Sequence, residues 1–356
     1  MSIWLSIILP VYNVEKYIVD CLESVVKNIN EQDRQVEVII VDDGATDDSG
    51  VIANRYASRY DYIQVIHKEN QGVAQARNTG INAARGKWLY FADSDDRIAA
   101  KGVYYICKCS KENADADIIL FDALKSINNK DEAWEHFSNN MVLHGKEGIR
   151  KLQRSVMYYE GTPLAAPWDK VYKKSFLDKN HIRFQSNLKV LDDMVFNVEA
   201  FGKADKVVYC KEKIYHYRYV PESITNSYKP DRVEQDLKVW DFLQTYMSKN
   251  FYEEEYEAEK NMFQQAYFCR VIKSFSICCR LCFFNRQNEK NLLNKIKYMK
   301  EVLALPIYDE AFKKVKLKNA EWKLKIVILM GRAGMGFGIY LLHLANTWQT
   351  KHGIQQ

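Results

Sequence analysis

The chain has 356 residues, and at about 150 residues per domain this length predicts two domains. Apolar residues make up 47% of it and charged residues 27%, which excludes a disordered or collagen-like chain and indicates a globular protein with a core. The net charge of +5 hides an asymmetry, because residues 260–356 contain 17 Lys and Arg but 5 Asp and Glu. We therefore expect the end of the chain to face an anionic partner.

The eight cysteines follow neither a disulfide-framework spacing nor a zinc-site spacing, so we expect reduced, buried thiols and a cytoplasmic protein. The first residues, MSIWLSIILPVYN, lack the basic segment of a secretory signal and run directly into a strand pattern. The sequence also lacks an uninterrupted apolar stretch of about 20 residues, and it therefore predicts no transmembrane helix. No nucleic-acid-binding motif accompanies the basic charge, which argues against a nucleic acid as the partner.

Strand and helix patterns alternate along the first third of the chain. Apolar runs predict strands, and apolar residues at helical spacing predict the helices between them. The predicted strands cover residues 6–11, 36–41, 63–67, 88–92 and 117–121, and the predicted helices cover 15–30, 46–60, 73–84 and 102–111. This alternation predicts an α/β fold with a mostly parallel sheet and helices on both faces. Residues 126–220 look less regular, and residues 231–303 look helical throughout.

Three polar clusters follow predicted strands at the point where each strand ends. They are Tyr12-Asn13, Asp42-Asp43 and the run Asp93–Asp96. In a parallel sheet, ligands bind beyond the carboxyl ends of the strands, because the crossover loops open there. We therefore expect a binding site at this edge of the sheet.

Asp93 and Asp95 form a D-x-D pair directly after the strand at 88–92. Two carboxylates at this spacing can converge on one divalent cation, which also takes phosphate oxygens and water. A polar turn has the same kind of sequence, so the pair alone does not identify a metal site. Arg77, near the end of the preceding helix, can pair with a diphosphate or with the acidic cluster, or it can be a solvated charge.

Five sequence runs resemble, in their order and spacing, those of a known family, the inverting family-2 glycosyltransferases with the GT-A nucleotide-sugar-binding fold. The runs are SIILPVYNVEKYIVDCLESV, VIIVDDGATDDS, NQGVAQARNTGINAARGKWLYFADSDD, WDKVYKKSFLDKNHIRF and LDDMVFN. They cover about residues 3–225 in the order and spacing of the family. Two departures are small: Ala45 stands where Ser is usual, and Leu191-Asp192-Asp193 stands where Glu-Asp is commoner.

The resemblance implies a role for each matching residue of the donor site. The implied nucleotide-sugar-binding residues are Pro10, Tyr12, Asp43, Arg77, Ser94 and Asp95. The Pro10–Tyr12 backbone and the Tyr12 ring would lie against the nucleobase, and Asp43 would accept a hydrogen bond from its imide N–H. Arg77 would border the nucleotide, and Ser94 would meet the ribose.

The resemblance also implies a metal site and a base. Asp95 would bind Mn²⁺ or Mg²⁺ on the diphosphate, with Asp93 close by, and Asp193 would be the general base. This agrees with the chemistry, because an acceptor hydroxyl has a very high pKa and must lose its proton as the new bond forms. One base and no nucleophile would mean a single displacement with inversion.

Some of these residues also have purely structural interpretations. Asp192 and Asp193 suit the N-terminus of a helix, where acidic residues are favoured, and this is compatible with catalysis. Trp168 suits either the face of a sugar ring or a buried core. His216 could be an extra metal ligand or an ordinary packed histidine.

We expect three segments along the chain: a GT-A catalytic domain at 1–225, a helical subdomain at 226–310 and a basic, then apolar, tail at 311–356. A polybasic stretch beside an amphipathic segment suits the surface of an anionic membrane. The alternative is a helical region that packs on the rest of the protein.

The expected function is a metal-dependent, inverting transfer of a sugar from a UDP-sugar to a hydroxyl of a glycan acceptor. The resemblance implies a lipid-linked acceptor in capsule, O-antigen or lipopolysaccharide assembly, and a peripheral enzyme at the inner face of the cell membrane. A catalytically inactive scaffold of a polysaccharide-assembly complex is the alternative, although a scaffold needs neither Asp95 nor Asp193. Nucleotidyl transfer is disfavoured, because Pro10–Asn13 stands where such enzymes have a Gly-rich phosphate loop.

Overall fold

The computed structural model describes residues 2–29, 35–127, 130–158, 164–218, 227–251 and 257–351. The chain divides into two compact units. The first consists of Met1–Val156 and Gly161–Tyr219, and the second of Met157–Glu160 and Val220–Gln356. The strands and every residue predicted for the site belong to the first unit.

The first unit is built on one large sheet, which within the described residues has ten strands in the order β3-β2-β1-β4-β9-β6-β10-β5. Two short strands lie off this path, β7 paired with β6 and β8 paired with β10. The strands are β1 Leu5–Val11, β2 Val36–Asp42, β3 Ile63–His67, β4 Trp88–Phe91, β5 Arg97–Ile98, β6 Ile118–Ile127, β7 Lys130–Trp134, β8 Met141–His144, β9 Lys170–Lys173 and β10 Lys206–Arg218.

The half of the sheet that carries the polar clusters is parallel. Strands β3, β2, β1 and β4 are neighbours and all run in the same direction. β10 also lies parallel to β6, whereas β9 runs antiparallel between β4 and β6. The predicted α/β fold with strands and helices in alternation is confirmed.

Helices cover both faces of this sheet. They are α1 Ile18–Asn28, α2 Ser49–Ala57, α3 Val73–Ala83, α4 Gly102–Glu112, α5 Gly145–Met157, α6 Lys174–Lys179 and α7 Asp192–Lys203. Alternate residues of β1 point to opposite faces. Ile7 and Leu9 lie in the same core cluster as Ile18 of α1, whereas Ile8 contacts α3 at Gly80.

Residues 126–220 contain more regular structure than the sequence pattern predicts. They include β7 to β10 and α5 to α7. β9 has only four residues, KVYK, and its Lys170 is fully buried, so it does not present an apolar run. β10 departs from regular register between Cys210 and Tyr215, which breaks its alternation. Tertiary pairing, which a local pattern does not contain, determines these two strands.

The second unit is helical in its described residues, as predicted. Its helices are α8 Arg232–Asn250, α9 Glu257–Cys278, a π-helical turn Cys279–Phe283, α10 Leu292–Leu303, α11 Pro306–Lys314, a short 3₁₀ turn Leu317–Asn319, α12 Trp322–Arg332 and α13 Gly336–Lys351. In its core, Phe275 of α9 contacts the rings of Phe283, Tyr308 and Phe312. The eight cysteines of the chain are free and buried, as expected.

Part of the predicted tail, residues 311–356, packs in the core of the second unit. Leu324 and Ile328 of α12 are buried, and this helix packs on α9. Arg332 donates to the carbonyl oxygens of Phe312 and Val315 at the end of α11, where backbone acceptors lack helical partners. Among the described residues, every helix falls short of the length and apolar character that crossing a bilayer requires.

Candidate active site

The three predicted polar clusters lie together at the carboxyl edge of the parallel strands. Val11 at the end of β1 pairs in register with Asp42 at the end of β2, and Ile8 pairs with Phe91 at the end of β4. The Asp43 amide donates to the carbonyl of Val11 at 2.9 Å, which extends the ladder into the loops. The expected meeting of the clusters at one edge is therefore confirmed.

Asp43 organises the loop that follows β3. Its buried carboxylate accepts from Lys68 Nζ at 2.6 Å, from the Gly72 amide at 2.7 Å and from the Gln71 amide at 3.1 Å. Gly72 has φ +91°, a conformation that glycine adopts at little cost. The predicted base-binding carboxylate thus has internal donors as well, and these fix its position before any ligand arrives.

The end of β1 presents one exposed ring beside a fixed backbone. Pro10 accepts at its carbonyl from the buried Ser94 hydroxyl at 2.8 Å, which ties the D-x-D loop to β1. The Tyr12 side chain is 43% exposed, in contrast to the buried residues before it. An exposed aromatic ring on a rigid strand end suits stacking against a planar base. Since the Ser94 proton is committed to Pro10, this hydroxyl is left to accept from a ligand.

The D-x-D loop concentrates negative charge in a partly buried place. Burial, together with the charge of Asp93, raises the pKa of Asp95 to about 6. Burial and the charges of Asp95 and Asp93 raise the pKa of Asp96 to about 8. Carboxylates that repel each other in this way favour a bound cation, because it would remove the repulsion.

Asp96 is a residue whose role the sequence analysis did not identify. Its carboxylate accepts from the Tyr215 hydroxyl at 2.6 Å and from the Arg218 amide at 2.6 Å, so it fastens the D-x-D loop to β10. The only sequence signal was a third acidic residue after Asp93 and Asp95, and β10 itself was not predicted. Asp96 is therefore an anchor, and the carboxylates that remain for a cation are Asp93 and Asp95.

Arg77, which lies in the first half of α3 and not near its end as expected, joins the D-x-D loop to the start of α7. Its guanidinium donates to Asp93 Oδ1 at 2.9 Å and to Asp192 Oδ2 at 3.2 Å, and it lies 5.1 Å above the ring of Phe184. Burial opposes its charge, but Asp93 and Asp192 raise the pKa of Arg77 above its ordinary value. The alternative of a solvated charge is wrong, because the side chain is buried between two carboxylates.

Asp192 and Asp193 begin α7, as the pattern predicted. Leu191, before them, has φ +59°, and the Asp193 carboxylate accepts from the Met194 amide at 2.7 Å. Asn197, one turn later, donates to the Asp193 carbonyl at 3.1 Å and accepts from the Tyr172 hydroxyl at 2.7 Å. Asp192 is buried and Asp193 is half-buried, so of the two carboxylates Asp193 is the more accessible.

A buried ion pair that the sequence analysis missed lies beside this helix start. Lys170, which is 0% exposed, contacts Asp169 Oδ1 at 2.5 Å and donates to the Ala166 carbonyl at 2.7 Å. Burial lowers the pKa of Lys170, whereas the charges of Asp169 and Asp193 oppose that shift. Lys170 and Asn197 of α7 both donate to the Ala166 carbonyl, which places the ion pair beside the first turns of that helix. Its signal in the sequence is the Asp-Lys pair after Trp168, at the start of β9.

Trp168 and His216 both have partners within the protein. Trp168 is 6% exposed and stacks on Tyr215 with ring centroids 4.6 Å apart, so it belongs to the core and not to an open sugar platform. His216 lies 2.8 Å from Asp131 of β7, and this pairing commits its Nε2 to a carboxylate outside the D-x-D loop.

Asp93 and Asp95 suit a divalent cation whose remaining coordination positions are filled by a bound ligand. No cluster of three or more His, Cys, Asp or Glu residues suited to a metal occurs in the part of the chain that the structure describes. Asp93 and Asp95 provide hard oxygen donors, and a diphosphate would supply the others. This is the donor set expected of a cation that binds together with a nucleotide.

Comparisons with known proteins agree with this site. The model described as glycosyl transferase family 2 matches residues 6–179. EpsH of Bacillus subtilis (strain 168), named as a glycosyltransferase, is 29% identical over 343 residues, which cover 93% of this chain and 92% of EpsH. The poly(ribitol-phosphate) beta-glucosyltransferase of Bacillus spizizenii is 29% identical over 268 residues, which cover 69% of this chain and 40% of that enzyme.

A solved structure shares the fold. Residues 1–349 of TarS from Staphylococcus aureus, crystallised with UDP-GlcNAc, match with a TM-score of 0.64 and 19% identity over 99% of this chain and 92% of that chain. At this identity the likeness shows the fold, which is GT-A with a helical C-terminal region. The family match shows that residues 6–179 form a glycosyl transferase family 2 domain, and with the relatives it shows that the chain is a glycosyltransferase.

Proposed function

We propose that the protein transfers a sugar from a UDP-sugar to a hydroxyl of a glycan acceptor, with inversion and with dependence on a divalent cation. The observation that carries this proposal is the chain of contacts Asp93–Arg77–Asp192, which joins the D-x-D loop to the helix start that bears Asp193. A donor-binding loop and a base must be held close together for a single displacement.

The donor site consists of Pro10, Tyr12, Asp43, Arg77, Ser94 and Asp95. The exposed Tyr12 ring stacks on the base, and Asp43, fixed by the Gly72 amide, accepts from the base N–H. The TarS structure with UDP-GlcNAc, on the same fold, supports a uridine diphosphate donor. Asp93 and Asp95 would hold Mn²⁺ or Mg²⁺, which when bound supplies positive charge to the diphosphate leaving group.

Asp193 is the general base of the proposed reaction. Its carboxylate is half-buried at the start of α7, and it is therefore more accessible to an acceptor than the buried carboxylate of Asp192. The carboxylate takes the proton of the acceptor hydroxyl as that oxygen bonds to the anomeric carbon, and the diphosphate leaves from the opposite side. Because no covalent sugar–enzyme intermediate forms, the configuration at the anomeric carbon inverts.

The acceptor is a glycan of a bacterial surface polysaccharide, carried on a lipid. The relative that acts on poly(ribitol-phosphate) supports an anionic surface glycan as the acceptor class. Capsule, O-antigen and lipopolysaccharide assembly use such acceptors at the inner face of the cell membrane. We accordingly place the protein in the cytoplasm, peripheral to that membrane, with residues 1–225 as its catalytic domain, residues 226–310 as a helical subdomain and residues 311–356 as the contact with the anionic surface.

The decisive experiment is a panel of UDP-sugars with Mn²⁺, scored for UDP release without an acceptor. We expect slow hydrolysis of one or two donors, loss of UDP release when EDTA removes the cation, and loss of donor binding in Asp95→Ala. Asp61→Ala, an exposed aspartate at the far end of β3, is the matched control and should retain both. If no UDP-sugar is bound or hydrolysed, or if Asp95→Ala binds like the unchanged protein, the proposal is wrong and a scaffold role gains support.

A further inference from the structure

The last two helices of the second unit have apolar residues on the faces that point outward. Six large apolar side chains between residues 322 and 344 are exposed: Trp322, Leu329, Met335, Phe337, Leu341 and Leu344. Fifteen such residues are exposed among all the described residues, so these 23 positions hold a large share of them. Scattered exposed apolar residues are normal, whereas a concentration marks a contact surface.

The helical period shows that α12 is apolar on two opposite faces. Leu324, Val327 and Ile328 are buried and form the inner face. At 100° per residue, Trp322, Ile326 and Leu329 fall on the opposite side, and the cations Lys323 and Lys325 flank them on either side. The inner face of α12 packs against the rest of the second unit. The outer face therefore remains for contact with a separate apolar surface.

The same holds for α13. Phe337, Leu341 and Leu344, at spacings of four and three, form one exposed face, and Ile339 is buried on the other. The helix has no charged residue before Lys351. We call the two exposed stripes, Trp322–Leu329 on α12 and Phe337–Leu344 on α13, the outer faces of these helices.

The charge around the outer faces identifies what they contact. From Lys313 to Thr350 the sequence has seven Lys or Arg and one acidic residue, Glu321. Lys313 and Lys314 are paired with Asp309 and Glu310, but in the described part of the chain Lys316, Lys318 and Lys325 have no ion pair. Unpaired lysines next to exposed Trp, Phe and Leu side chains match an anionic lipid surface, where the ammonium groups meet headgroups and the rings enter the acyl boundary.

We propose that the outer faces of α12 and α13 dock on the surface of an anionic bilayer. This docking proposal rests on the proposed function, because a lipid-linked acceptor would be presented at the same membrane surface. Both the apolar side chains and the lysines contribute, so binding requires anionic lipid and weakens with salt, because the Debye length falls from about 10 Å at 0.1 M to about 3 Å at 1 M.

The test is sedimentation of the full chain with vesicles of phosphatidylcholine, with and without 30% phosphatidylglycerol. We expect the unchanged protein to bind the anionic vesicles at low salt. Partitioning should be at least tenfold weaker with neutral vesicles, and also with anionic vesicles at 1 M salt. The variants Phe337→Ser/Leu341→Ser and Lys323→Gln/Lys325→Gln should each bind the anionic vesicles at least tenfold more weakly at low salt. The matched controls are Val51→Ser/Tyr104→Ser and Lys108→Gln/Lys151→Gln, exposed residues of the first unit, which should bind like the unchanged protein.

Thermal unfolding of each variant shows that lost binding is not lost folding, since the replaced apolar side chains are 56% and 50% exposed. Undiminished partitioning of the Phe337→Ser/Leu341→Ser protein, or equal binding to neutral and anionic vesicles, overturns the proposal. So does a dimer, found without vesicles, that the same variant dissociates, because a second copy would then cover the outer faces. Release of UDP from a UDP-sugar in solution is measured separately, so failure of the transferase proposal and failure of the docking proposal are distinguished.

Discussion

Arg77 is the residue on which the geometry of the candidate active site depends most, since one guanidinium holds Asp93 and Asp192. Lysine keeps the charge but lacks the planar fork, so Arg77→Lys can hold only one of the two carboxylates firmly. We expect turnover to fall by about 10²-fold through lost positioning, with the fold retained. Arg77→Met removes the arginine partner of the buried Asp192 and of the half-buried Asp93, and it should lower the free energy of unfolding by up to about 3–5 kcal/mol.

The matched control for this pair is Arg85→Lys, which alters an arginine–carboxylate contact of 2.7 Å with Glu37 away from the site. It should leave turnover within about twofold of the unchanged protein, because the contact lies away from the site and the Arg85 side chain is mostly exposed. Turnover and urea unfolding of the three variants are the measurements. If Arg77→Lys turned over as fast as Arg85→Lys, the bridge would have no part in positioning the site.

Asp193→Asn isolates the proton-accepting role of the proposed base. Asparagine keeps the side-chain oxygen that accepts from the Met194 amide, so the start of α7 should persist. It cannot take a proton, and turnover should drop by about 10²–10⁴-fold while UDP-sugar affinity stays unchanged. Calorimetry of donor binding and acceptor-dependent UDP release measure the two quantities. Near-normal turnover would remove Asp193 from the mechanism.

The residues of the site divide into those that a sequence can reveal and those that it cannot. Asp43, Asp93 and Asp95 follow apolar strands, so their convergence at one edge was predictable from the parallel order of those strands. Asp96 was not predictable, because its partners on β10 are more than a hundred residues away. Lys170 was not predictable either, because tertiary packing and not the local sequence decides that it is buried. Charged residues are almost never fully buried without a partner, and a sequence does not disclose the partner.

At the scale of elements, the close contact between α3 and β1 can be tested at Gly80. A Cβ added to Gly80 would lie 2.3 Å from Cγ2 of the fully buried Ile8. Gly80→Ala should therefore lower the free energy of unfolding by about 1–3 kcal/mol, in spite of alanine's higher helix propensity. The control is Gly338→Ala in α13, where the nearest atom is 3.5 Å away and the change should be neutral or stabilising.

Urea unfolding measures both glycine variants. A stabilised Gly80→Ala protein would mean that α3 does not pack closely on Ile8.

The apolar residues that build this packing also explain which elements were predictable from the sequence. Strands β1, β2 and β4 and their helices carry continuous or periodic apolar patterns that local rules detect. β9 and β10 carry lysines, bulges and buried polar groups, and long-range pairing with β4 and β6 decides their structure.

At the scale of the whole molecule, all proposed donor-site residues belong to the first compact unit, and the exposed apolar helices to the second. A ligand that binds only the folded form stabilises the unit that binds it, by about 2.7 kcal/mol at a hundredfold excess over its Kd. We expect calorimetry to resolve two transitions, of which UDP-sugar with Mn²⁺ raises only one. A single transition that shifts as a whole would mean that the two units unfold cooperatively.

Phe312→Ala tests which transition belongs to the helical unit. Phe312 is buried, its ring lies 5.6 Å from that of Phe275, and a Cβ at Gly331 of α12 would touch it at 2.3 Å. Removing the ring leaves a cavity that should cost about 3–5 kcal/mol, because α11, α12 and α9 meet there. The transition that does not respond to UDP-sugar should therefore move to lower temperature, with donor affinity at 25 °C unchanged. Phe121→Ala, the same change in the core of the first unit, should instead lower the ligand-sensitive transition. If Phe312→Ala lowered the ligand-sensitive transition, donor binding would depend on the helical unit, and the tail would be part of the catalytic machinery.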